Sequence, residues 1–171
     1  GGADIFLGAI RNRADAGDAS ALSRAEGTFT VASLPDTLRV VTIVHPNYAA
    51  QVAPLTLLPD GRYAPLNVVL TSGGVVEGTF LVDGQAPPYR MHSVAVQHPG
   101  QPDAIQVSAK ADSSGHFRIA EVRPGTGLVR ASFMLDVDRG QTLVQATPVT
   151  IDEGVPVHVD FNMTTGEGVV E

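Results

Sequence analysis

The sequence predicts an all-β protein built as two tandem β-sandwiches, and three observations carry that expectation. Apolar residues make up 43% of the 171 and fall in short runs divided by turn formers, with 18 Gly and 12 Pro. That spacing belongs to many short strands. Several runs alternate apolar and polar side chains with period two, as half-buried antiparallel strands do. A set of motifs also recurs 88 residues on, from Gly27 to Gly115, a period that fits one small domain.

The elements follow in order. Ile5 and Leu7 correspond to Val94 and Val96, 89 residues later. Residues 14–25 are rich in Ala but hold Gly17 and no sustained apolar face, so they are expected to form a loop rather than a helix. Gly27-Thr28-Phe29-Thr30-Val31 then matches Gly115-His116-Phe117-Arg118-Ile119. Each is followed by a proline-marked turn, Leu34-Pro35-Asp36-Thr37 or Arg123-Pro124-Gly125-Thr126, and by a β-rich run at 38–44 or 128–133. Asn67-Val68-Val69-Leu70-Thr71 matches Asp160-Phe161-Asn162-Met163-Thr164 at an offset of 93, so the second copy carries a few extra loop residues.

Residues 74–82, Gly-Val-Val-Glu-Gly-Thr-Phe-Leu-Val, open the second copy and have no counterpart ahead of Ile5. The first domain, residues 1–72, is therefore expected to start at what should be its second strand, and the second domain, 73–165, to be complete. Residues 166–171, GEGVVE, repeat the opening GGVVE of 73–77. Alternation is clearest from Val155 to Met163, where the odd positions are apolar. Turns are expected at Pro59-Asp60-Gly61, Asp83-Gly84, Ser113-Ser114-Gly115 and Glu153-Gly154.

Composition excludes several classes of function. The net charge is −7 and Lys110 is the single lysine, so no basic stripe is present to meet phosphates or anionic lipid, and nucleic acid is not an expected partner. Cysteine is absent, which removes disulfides and thiolate chemistry. No apolar run reaches the length of a membrane span, and no charged-then-apolar leader opens the sequence, which reads as a mature or excised segment. His45, His92, His98, His116 and His158 are scattered without metal-ligand spacing, and the expectation is surface or turn histidines with no metal site. The acids at Asp112 and at Asp136-Val137-Asp138 lack the spacing of a calcium loop. No serine elbow or lysine-bearing phosphate loop occurs, so no enzyme activity and no cofactor are expected.

Residues 115–126, GHFRIAEVRPGT, preceded by Ala111-Asp112, resemble the central motif of carboxypeptidase regulatory-like domains; residues 25–31 with Leu34-Pro35 are a looser copy. The resemblance implies immunoglobulin-like or transthyretin-like β-sandwiches of about seven strands, akin to the B-type repeats of bacterial surface adhesins. It further implies an extracellular or cell-surface accessory module, often in tandem and without catalytic residues. Adhesin repeats of this kind commonly carry an isopeptide bond from a lysine in the first strand to an Asn or Asp in the last. Here residues 74–82 contain no lysine, so none is expected.

Two functions follow as expectations. In the first, Gly168, Val169, Val170 and Glu171 of one molecule donate a strand to the incomplete first domain of the next, beside Ile5 and Leu7, giving a head-to-tail homopolymer. One inward valine contributes about 1.5 to 3 kcal/mol and each ladder bond about 1 kcal/mol, so a durable fibre would need further contacts or a longer donor. In the second, the chain is a polysaccharide-binding or adhesive accessory pair that uses Tyr48 and Tyr63 as stacking surfaces.

Overall fold

The computed structural model describes residues 1–10, 17–99 and 106–166. Among them are twelve strands and no helix. The chain divides into two compact units at Ser72/Gly73.

In the first unit, β1 (Asp4–Leu7), β2 (Ala21–Leu22), β3 (Val40–His45) and β4 (Tyr48–Pro54) form one antiparallel sheet in the order β2-β1-β3-β4. The β-branched run in β3 suits a central strand. Its alternation sends Val41 and Ile43 to one face, where they pack with Ala3, Ile5 and Ala53. Val44 goes to the other, with Phe6. Thr42 is fully buried, and its hydroxyl donates to the Gly8 carbonyl at 2.7 Å. The loop expected over 14–25 is corrected at Ala21–Leu22, which pair with Ile5 and Asp4. Two residues are too short a run for periodicity to register.

The second unit holds two sheets. β6 (His92–Gln97), β7 (Val107–Ala109), β9 (Gly125–Asp136) and β10 (Gln141–Ile151) form the first, in the order β10-β9-β6-β7. β5 (Gly74–Val82) is the centre of the second. β8 (His116–Val122) pairs antiparallel along one side of β5, while β11 (Pro156–His158) and β12 (Phe161–Met163) pair parallel to it. Inward side chains of both sheets make one core, with Val76, Phe80, Ile119 and Phe161 from the second against Val94, Val96, Val129 and Ala131 from the first. Asp83 and Gly84, with φ of 52° and 75°, turn the chain after β5 as the Asp-Gly signal predicts.

The sequence repeat is also a repeat of register. Ile5 pairs with Ala21 and Ile43, and its counterpart Val94 pairs with Ala109 and Ala131. The turns agree as well. Gly27 N–H donates to Arg24 O and Arg24 N–H to Thr28 O; Gly115 N–H donates to Asp112 O and Asp112 N–H to His116 O.

Two expectations fail in an informative way. Residues 27–31 and 67–71 align with strands β8 and β12 but form no strand themselves. Both β8 and β12 are strands because they pair with β5, and no described strand stands in that place in the first unit. The alternating stretch 155–163 is not one continuous strand either. It breaks at Val159-Asp160, and Val155 is exposed. The register is the same on both sides of the break, where the Thr79 N–H donates to the Asp160 side chain instead of a main-chain carbonyl. Gly78 lies beside it, and an added Cβ there would stand 1.9 Å from the Val159 carbonyl oxygen.

Candidate functional site

The first unit carries a groove of about 340 Å³. Its floor is Ala3, Ile5 and Ile43 from the sheet. Phe29 lines one wall and Leu66, Val68 and Leu70 the other. These apolar side chains are only partly buried, and among the described residues no strand joins the two extended segments that carry them. Apolar floor and walls beside two extended segments that join no described strand are features of a site for an extended peptide.

The second unit shows what belongs in such a gap. There Phe80 of β5 is fully buried, its ring 5.6 Å from His92 and 6.3 Å from Phe161, with Phe117 against Phe161. By the internal alignment, His92, Phe161 and Phe117 correspond to Ala3, Val68 and Phe29, all of which line the groove. The aligned residues thus line the groove in the first unit and surround Phe80 of β5 in the second.

Glycine contacts give the same answer independently. Gly27 and Gly115 share φ, 86° and 85°. A Cβ on Gly115 would lie 3.0 Å from Phe80 O and 2.6 Å from the Leu81 side chain, whereas one on Gly27 would meet nothing within 4 Å. Gly115 O accepts the Phe80 N–H at 2.7 Å. Among the described residues, no main-chain N–H reaches Gly27 O.

The expected acceptor residues have different surroundings. Ile5 is not beside an open edge, since β1 lies between β2 and β3; it forms part of the groove floor. Leu7 packs in the same core but does not line the groove. The residues that sequence reasoning missed are Phe29, Leu66, Val68 and Leu70. Their signal was present in the repeat, because each aligns with a residue in β8, in β12 or at the break before it. The donor residues Gly168, Val169, Val170 and Glu171 lie outside the described residues.

The two tyrosines are placed differently. Tyr48 lines the groove and stands edge-on to His45, ring centroids 4.8 Å apart. Tyr63 does not line it. Its hydroxyl lies 2.6 Å from Pro35 O and 3.0 Å from Leu38 O, which ties two loops together.

Polar groups in the second unit are occupied in holding the fold. Asp160 accepts the Thr79 N–H at 2.8 Å and the Thr79 hydroxyl at 2.6 Å. The Thr79 hydroxyl and amide, with a smaller contribution from His158, hold its carboxyl below the usual carboxylate range. His92 and His98 are buried rather than on the surface, a correction to the sequence expectation. The Ala111 N–H donates to His92 Nε2 at 2.7 Å, so the proton sits on Nδ1 and faces Pro88 O at 2.8 Å. The Lys110 ammonium donates to the His92 carbonyl. Among the described residues, no group of three or more His, Asp or Glu is placed to hold a metal ion, and no helix is long and apolar enough to cross a membrane.

No protein-family model matches the chain, and no curated protein matches it at a significant level.

Proposed function

We propose that the chain is a non-enzymatic extracellular structural module of two tandem β-sandwiches, the first completed by a strand from another molecule. The observation that carries this reading is the groove of the first unit, which corresponds to the space held by β5 in the second. The donor is residues 168–171 of a second copy, because Gly168-Val169-Val170-Glu171 repeats Gly74-Val75-Val76-Glu77 of β5. In β5 the second valine of that sequence points inward and is fully buried. Val170 takes that place in the acceptor, and by the register of β5 the donor's main chain runs beside residues 30–31 and 63–65, at the end of the groove.

Donor and acceptor are different surfaces of the same chain, so the contact is heterologous and propagates into an open filament unless its rotation closes a ring. Deleting residues 166–171 tests the reading. Particle length by light scattering or negative-stain microscopy should fall to that of single molecules, and polymers of unchanged length would remove the donor role. Polysaccharide binding is the second reading, favoured only by Tyr48 at the mouth of an apolar groove.

A further inference from the structure

The groove extends past the place a four-residue Gly-Val-Val-Glu donor would fill, and the second unit shows what the remainder is shaped for. Three contacts tie β5 to its neighbours beyond Glu77. Gly78 passes under the Val159 carbonyl, where no side chain fits. Thr79 gives its N–H to Asp160 Oδ1. Phe80 places its ring against His92 and Phe161. The counterparts in the first unit are Leu66, Asn67, and the pair Ala3 and Val68, with Phe29 alongside; all of them line the groove. Asn67 carries a side-chain carbonyl where Asp160 has its accepting oxygen, so the same main-chain donor can be met. Ala3 replaces the larger His92 and leaves the socket roomier.

We propose that the first unit selects extended partners that carry a Gly-x-aromatic sequence. The glycine runs beneath residue 66, the next main-chain N–H bonds to Asn67, and the aromatic ring enters the socket of Ala3, Phe29 and Val68. The assignment rests on the strand-acceptor reading above and extends it to a strand longer than residues 168–171, which carry no aromatic side chain. Asn67 sets register, since a strand shifted by one residue would turn its aromatic side chain out of the groove.

Labelled peptides added to the intact chain test it without altering the groove. The decapeptide with the sequence of residues 73–82, GGVVEGTFLV, should bind at least about tenfold more tightly than its Phe80→Ala version, because the ring is the largest apolar group buried. The Gly78→Ala peptide should weaken by a similar factor. On the protein side, Asn67→Ala changes an exposed residue and should weaken the parent decapeptide several-fold while leaving the unfolding midpoint unchanged. Equal affinity for the parent and the Phe80→Ala peptide overturns the aromatic socket, although both peptides binding would keep the strand-acceptor reading intact. If no decapeptide binds, or if Val68→Arg binds as tightly as the unaltered chain, the groove is not a strand site and both proposals fall.

Discussion

Gly27 and Gly115 close the same turn with nearly the same backbone angle, but among the described residues only Gly115 has a strand packed against it. Alanine at either position forces an L-residue to positive φ, which costs on the order of 1 kcal/mol. Gly115→Ala also drives a methyl group into Phe80 O and Leu81. It should therefore lower the urea midpoint clearly more than Gly27→Ala does. If strands enter the groove, Gly27→Ala should instead show its larger effect on polymer length. Equal losses of stability at both positions would mean that the space beside Gly27 is filled in solution by the chain itself.

Strand β5 is the keystone of the second unit, and two substitutions should reveal it. Phe80→Ala removes a fully buried ring and should cost about 3 to 5 kcal/mol. Gly78→Ala places a Cβ against the Val159 carbonyl and should cost at least about 3 kcal/mol, since main chain must move. Chemical denaturation followed by far-ultraviolet circular dichroism would measure both. A Gly78→Ala protein of native stability would show that the Val159-Asp160 break is soft.

Acid should loosen the same junction. The Asp160 carboxyl is held below its ordinary range chiefly by the Thr79 hydroxyl and amide. A group with a depressed folded-state pKa stabilises the fold above its unfolded value, about 3.9 for aspartate, and loses that contribution as pH falls through the depressed value. Asp83, bonded by the Thr165 hydroxyl and amide, acts in the same direction. Stability should thus decline from about pH 4 downward, and Asp160→Asn should flatten part of that decline while lowering stability at neutral pH. An unchanged pH profile in that variant would show that the Thr79 contact contributes nothing in solution.

The two tyrosines separate the filament reading from the polysaccharide reading. Tyr63→Phe removes a hydroxyl bonded to two loop carbonyls and should cost about 1 kcal/mol without any effect on ligand retention. Tyr48→Ala changes a groove residue. Retention on insoluble polysaccharide that disappears in Tyr48→Ala would favour the carbohydrate reading, and no retention by the unaltered chain would exclude it for the polymers tried.

How far each element could be read from sequence depends on what holds it together. The β3 and β9 runs and the Asp83-Gly84 turn were legible because residue preference and turn chemistry are local. The two-residue β2 was not, since it exists only by pairing with Asp4 and Ile5. Buried His92 and His98 were misread as surface residues, because a histidine's burial is settled by the carbonyls and amides that surround it. Counting strands points to Ile5 and Leu7 as the acceptor, whereas the groove is lined by Ile5 together with Phe29, Leu66, Val68 and Leu70 and not by Leu7.

Sequence alone determined the all-β class, the internal repeat and the likeness of residues 168–171 to the start of β5, since each is a matter of local pattern and one stretch compared with another. Tertiary structure decided which residues line the groove. Strand pairing is a contact between segments distant in the chain, so whether Phe29 and Val68 face a partner or a gap depends on what else reaches them. In the second unit Phe80 reaches the matching residues, and in the first a groove stands in its place.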